Sequence, residues 1–155
     1  MQTFVALFVN KIIVEMQLNN VFDHFFDALK QNNEQDLLQY LDTNYVYNDP
    51  LYGLLYHSDA RKRWKLWIQE NKIKNIEIIE MIAYDHEYAM VHWKCDFYYP
   101  PTNKKVQLFI KSYFKIENNL ITEQSDAYRL STFIKAAYGL KGFLFGWIKF
   151  MQNRV

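Results

Sequence analysis

Apolar positions along this chain follow two regimes. Up to the third predicted helix they recur every three or four residues; from Lys74 onward they alternate or run continuously, and that change of period separates helices from strands. Val21, Phe22, Phe25, Phe26 and Leu29 share one face of a helix predicted over Leu18 to Gln31, about four turns long, which Asn32-Asn33 ends. A short second helix, Glu34 to Leu41, turns Leu37, Leu38 and Leu41 inward, and Tyr45 to Asn48 reads as a short strand. Ser58 is a good N-cap for a third helix, with Asp59 at its positive end and Trp64, Trp67 and Ile68 on one face. Four strands follow: Ile76 to Tyr84, Tyr88 to Tyr99, Lys105 to Ile116 and Leu120 to Tyr128. The turns between them, Asp85-His86, Pro100 to Lys104 and Glu117 to Asn119, are short enough for antiparallel hairpins. Leu130 to Gln152 reads as helix broken at Gly139, Gly142 and Gly146. Helices first and an antiparallel sheet after them is an α+β order, and one curved sheet wrapped around a long helix would leave a conical cavity.

Composition narrows what such a cavity would hold. At 155 residues the chain is expected to form one domain with a real core. Its 18% of aromatic residues suits a lined pocket or a dimer face as well as a packed core, because Tyr and Trp join apolar bulk to a polar handle. A net charge of +1 gives no basic field, so no nucleic-acid partner is expected. Arg61, Lys62, Arg63 and Lys65, and separately Lys104-Lys105, read as solvated faces. The single cysteine, Cys95, excludes an internal disulfide, fits a reducing cytoplasm and reads as a buried structural thiol. His24, His57, His86 and His92 are scattered without the i, i+4 spacing of a helical metal site, so no metal is expected. No nucleophile elbow or Gly-rich phosphate loop is present. Residues 1–15 lack the basic start and cleavage site of a signal peptide and are too short and polar to span a membrane. They are either an extra helix or an upstream extension with the start at Met16, and the second is favoured because a natural first helix begins just afterwards.

The densest chemistry lies in YVYNDPLYGLLYHSDARKRW, Tyr45 to Trp64. It sets Asp49 at the end of an aromatic strand, before Pro50 and a Gly53 turn, where a rigid scaffold can aim one polar group into a cavity. The order of elements and the NDPLYG run resemble the nuclear transport factor 2-like superfamily, over roughly Leu18 to Trp147. Ketosteroid isomerases, SnoaL-like polyketide cyclases and limonene epoxide hydrolase belong to it, beside domains without known activity. The tail SDAYRLSTFIKAAYGLKGFLFGW is similar to a bacterial branch described only as SnoaL-like. The resemblance implies a cone of curved antiparallel sheet around N-terminal helices: an extension over 1–17, the domain over 18–129 and a helical tail over 130–155 packed on it. A fold of this kind hosts enzymes and non-enzymes alike.

Three templates carry over residue by residue. The ketosteroid isomerase pattern implies a base at Asp49, while the positions of its oxyanion donors look like Phe25, which cannot donate, and Ser112. The limonene epoxide hydrolase pattern of Arg-x-Asp plus a late Asp resembles Lys94-Cys95-Asp96 with Asp126; Asn48 stands at its asparagine and Val46 where its tyrosine belongs. The bacterial branch has His-x-Asp where this chain has Gln124-Ser125-Asp126. Against these stand plainer roles: Asp49 closing a turn, Asp126 capping a helix near Arg129, and Lys94 with Asp96 as a charge pair on a solvent or dimer face. Strand alternation sets Trp93 and Phe97 opposite Asp96, so these are rival linings. The expectation is a cytoplasmic homodimer, paired through the exposed sheet face. It would bind a small hydrophobic molecule without cofactor, membrane or nucleic acid, in a cavity lined by Phe22, Phe25, Trp64, Trp67, Trp93 and Phe97. Asp49 and Asp126 would be its catalytic carboxylates, and Asn48, Asp96 and Gln124 further contacts.

Overall fold

A computed structural model describes residues 12, 18 and 20–139. The helix α1, 20–30, buries Val21, Phe22, Phe25, Phe26, Ala28 and Leu29 and exposes Asp23, His24, Asp27 and Lys30, as its 3.6-residue period requires. Asn32, at φ 53, takes the left-handed conformation that ends it. The Asn33 side chain then caps α2 (Glu34–Gln39) by accepting from the Asp36 backbone N–H. This helix is shorter than its leucines predict. Leu41 leaves it to open β1 (Leu41–Asp49), because the Tyr40 carbonyl accepts from the Ile121 N–H and so starts a ladder. β1 therefore has nine residues where the sequence alone marks four.

After Asp49 the chain turns, and Gly53 (φ 76) begins β2 (Gly53–Tyr56) in a conformation that favours glycine. The helix α3 (His57–Gln69) begins one residue before the expected cap. Ser58 lies inside it and Tyr56 is the N-cap without a side-chain bond, while Asp59 stays in the first turn. β3 (Ile73–Ala83), β4 (Tyr88–Tyr99), β5 (Lys104–Glu117) and β6 (Leu120–Ala127) follow, then α4 (Leu130–Tyr138), which ends at Gly139. The expected breaks at Gly142 and Gly146 and the choice between Met1 and Met16 lie outside the described residues.

The six strands form one curved, open sheet in the order β2-β1-β6-β5-β4-β3. Hairpins join β3 to β6 as predicted, but β1 runs parallel to β6, so the sheet is mixed. Nothing in a local pattern reveals a pairing between strands this far apart; it sets Tyr47 beside Gln124 and Asn48 beside Ser125. Register shifts in β3 and at Lys115/Ile116 bend the sheet. α1 and α3 fill its concave face with Phe26 against Trp93 and Trp64 against Phe25, and Phe133 of α4 packs on Phe97 and Tyr99. Among the described residues no helix is long and apolar enough to cross a membrane.

Candidate active site

Period-two alternation in β1 turns Tyr45, Tyr47 and Asp49 to the concave face and leaves Asn48 outside, where it donates to Ser125 Oγ at 3.2 Å. The parallel pairing lays Gln124 and Asp126 of β6 beside them, and all five side chains are buried. Buried polar groups must find partners, and these find one another. Asp126 Oδ1 accepts from Ser112 Oγ at 2.5 Å and Gln124 Nε2 at 2.9 Å. Its Oδ2 lies 2.7 Å from the Tyr47 hydroxyl, which is 3.3 Å from Asp49 Oδ2. Trp93 Nε1 donates to Ser112, Trp64 Nε1 to the Tyr45 hydroxyl, and Tyr45 to Gln124 Oε1. Asp49 Oδ1 accepts from the backbone N–H groups of Leu51 (2.7 Å) and Tyr52 (3.0 Å), and the Tyr128 hydroxyl lies 3.1 Å from Oδ2. Asp49 thus closes a turn and belongs to the buried network at once.

Among the described residues no cation sits in this network, and burial is the first influence on its protonation. Burial first, and then the charge of Asp49, push the Asp126 carboxyl up to about 7. Burial also raises Asp49, but two backbone N–H groups oppose it by favouring the ionised form. Two carboxylates joined through one hydroxyl resist double ionisation, so up to about pH 7 the pair retains a proton, held on Asp126. Tyr47 can serve either arrangement: it donates to Asp126 when that group is charged, or accepts from it and donates to Asp49.

The network borders a cavity of ≈ 20 Å³, room for about one water molecule. Trp67, Trp93 and Phe97 line it with Tyr52, Tyr128 and Phe133, and Asp49 and Asp126 face it. Phe22, Phe25 and Trp64 do not. Phe22 packs on Phe114, Phe25 is enclosed by Phe26, Trp64 and Phe114, and Trp64 sits behind Tyr45 and Tyr47. Gln124 acts on Asp126 rather than reaching the cavity directly. Lys94, favoured as a surface charge, and Asp96, expected as a pocket contact, both lie away from the cavity. They point to the outer face, where Lys94 pairs with Glu77 at 2.8 Å and Asp96 accepts from Asn75 at 2.7 Å. The β4 positions sharing a face with Asp126 include Trp93, Cys95 and Phe97 and neither Lys94 nor Asp96, so the carboxylate–cation–carboxylate set does not form. Cys95 is buried there, its thiol raised above its ordinary range by burial and then by the nearby carboxylates. Nor does Asp126 cap a helix: the N-cap of α4 is Arg129, without a side-chain bond. Among the described residues no three His, Cys, Asp or Glu side chains gather as a metal site.

Tyr47 and Tyr128 were not singled out from the sequence. The alternation Tyr45-x-Tyr47-x-Asp49 holds the signal for the first: the hydroxyl missing at Val46 stands one residue later, on the inner face.

Comparisons with known proteins fit this architecture. The fold matches an epoxide hydrolase from Mycobacterium tuberculosis resembling limonene epoxide hydrolase (TM-score 0.63, 14% identity, covering 89% of this chain and 97% of that one). It also matches the epoxide hydrolase/cyclase-like enzyme SalBIII of pyran ring formation in salinomycin (0.67, 11%, 76% and 95%). A third match is a hypothetical protein of ketosteroid isomerase-like fold from Catenulispora acidiphila (0.61, 14%, 76% and 92%). No curated protein sequence matches the chain. These likenesses concern the fold, whereas the sequence itself matches the SnoaL-like domain over residues 22–124, and the chain belongs to that family.

Proposed function

We propose that this protein binds a small, neutral, largely apolar molecule against Asp49 and Asp126. The pair then performs a cofactor-independent proton transfer on it, in an isomerase, cyclase or hydrolase step at a carbonyl or epoxide. One observation carries the reading: two buried carboxylates bridged by Tyr47 at the wall of an apolar cavity. Oδ2 of Asp49 is held only by the longer tyrosine bonds and is the oxygen with room to take a proton. Asp126 is the acid that gives its proton to the substrate oxygen, and the proton Asp49 takes up can return to Asp126 through the Tyr47 hydroxyl to reset the pair. Neighbours named as epoxide hydrolases and cyclases on the same fold lend the chemistry support by analogy.

One observation favours a second reading, a non-catalytic binding or assembly module. The cone is nearly filled by its own aromatics, and a ligand larger than water requires Tyr52, Tyr128 or Phe133 to move. Phe109 and Tyr113, exposed on the outer face, would serve a homodimer in either case. The deciding experiment is a thermal-shift screen of ketones, epoxides and lactones against the wild type, Asp49→Asn and Asp126→Asn. A ligand raises the melting temperature by mass action. Enzymatic action predicts a hit that the folded Asp49→Asn protein still binds while turnover falls by about 10²–10⁴-fold. Absence of any hit, with the variants folded, supports the assembly module.

A further inference from the structure

A site that removes a proton beside a carbonyl, or opens an epoxide, needs a donor for the oxygen on which charge develops. The residues at the ketosteroid isomerase donor positions do not provide one: Phe25 is core, and Ser112 spends its proton on Asp126. Tyr47 and Tyr128 are turned to the carboxylates, and the indoles of Trp64 and Trp93 already have acceptors. Trp67 differs. It is 5% exposed, stands in the cavity wall, and its Nε1 meets no acceptor among the described residues. Three rings of the same wall, Tyr47, Tyr52 and Phe97, surround its own. Burial pushes the neighbouring Tyr52 phenol up to about 12, against the Arg63 charge and the Trp67 N–H, which lower it; that N–H completes no hydrogen bond with a described acceptor. An unmet buried N–H is costly and rare, and beside a cavity its natural partner is an oxygen inside it. The ≈ 20 Å³ available suits a single water-sized group.

We propose that the Trp67 indole N–H is the oxygen-binding donor of this cavity, held by water in the free protein and by the carbonyl or epoxide oxygen of the substrate once bound. The inference rests on the proposed function and narrows it. The ligand is a neutral acceptor of hydrogen bonds, with its oxygen on Trp67, its apolar part against Trp93, Phe97 and Ile110, and its reacting carbon toward Asp49. Anions are excluded by the charge that the carboxylate pair already holds.

The test uses the full chain labelled with ¹⁵N in its tryptophans, the Trp67 indole resonance being assigned by its loss in Trp67→Phe. Cross-relaxation from water to that proton is recorded first. Cyclopentanone and the isosteric hydrocarbon methylenecyclopentane are then titrated in. The expected result is a water cross-peak at Trp67 that cyclopentanone removes. The indole proton shifts downfield, and the ketone binds about two- to tenfold tighter than the hydrocarbon. Trp67→Phe keeps a ring in the wall and brings the two affinities together, whereas Tyr52→Phe keeps the preference. If Trp67→Phe does not fold, the Trp67 indole is assigned by its cross-relaxation with the Tyr52 and Phe97 rings, and the Tyr52→Phe comparison and the wild-type shifts still decide. The inference is overturned if the Trp67 proton shows neither the water contact nor a shift with the ketone. A ketone preference that survives in Trp67→Phe, or that vanishes in Tyr52→Phe, overturns it too. A water contact without binding of either probe upholds the donor and counts instead against the substrate reading.

Discussion

The two faces of this sheet treat the same residue types in opposite ways. On the outer face Lys94 and Glu77 form an ion pair open to solvent, and Asp96 accepts from Asn75. On the inner face Asp49 and Asp126 meet no cation among the described residues and share hydroxyl, amide and backbone donors. Outside, water screens each charge, so a partner adds little. Inside, desolvation decides which group stays ionised, and hydrogen bonds distribute what charge remains. Chemistry follows from depth rather than from the number of charges.

The largest break in that contrast should come from the inner aromatics. Trp64→Ala would remove a fully buried ring and the donor to Tyr45, with an expected cost of about 3–5 kcal/mol in denaturant unfolding. Phe109→Ala on the outer face should cost well under about 1 kcal/mol. Next, Tyr47→Phe leaves both carboxylates short of a donor and should destabilise by about 1–3 kcal/mol, while Asn48→Ala beside it stays within about 0.5 kcal/mol.

A third test uses pH. Because folding raises Asp126, the native state binds more protons than the unfolded chain, so stability is fullest below pH ~4 and falls as pH rises toward about 7. Asp126→Asn supplies an amide that can donate to Tyr47 as the protonated acid does. It should remove that falling limb and leave the variant roughly 1–3 kcal/mol more stable than wild type at pH 8, read from urea midpoints. The smallest effect is expected for Lys94→Ala: about 0.2–1 kcal/mol in low salt, fading as salt is added.

What the sequence made legible follows the same division. The apolar period located α1, and alternation located β4 to the residue, because each element has one face in a large core. Asp49 was legible as a candidate through its place at a strand end, and Asp126 through the limonene epoxide hydrolase and bacterial-branch patterns that the chain resembles. Leu41 to Asn44 did not read as strand because Asp42, Thr43 and Asn44 carry no alternating apolar face; the stretch is tied to β6 at Leu41, ahead of a register shift before Val46. The Lys94-Cys95-Asp96 match failed through parity: a spacing fit that ignores which face is buried can be one residue out, and one residue reverses the face. Tyr128 gives no local signal, since its hydroxyl reaches Asp49 across a sequence distance of 79 residues. Whether the cavity is open or filled by its own aromatics stayed open in the sequence, because it depends on how the rings of β1, α3, β4 and α4 meet.

The most direct test of the central claim, a proton retained by the Asp49–Asp126 pair up to about pH 7, follows the side-chain carboxyl carbons of the aspartates by NMR from pH 4 to pH 9. Asp126 should titrate near 7, with the Asp49 carbon moving in the same transition through the Tyr47 bridge. Titration of Asp126 near pH 4, together with the exposed carboxylates, would mean that both acids are charged at neutrality and would contradict the account.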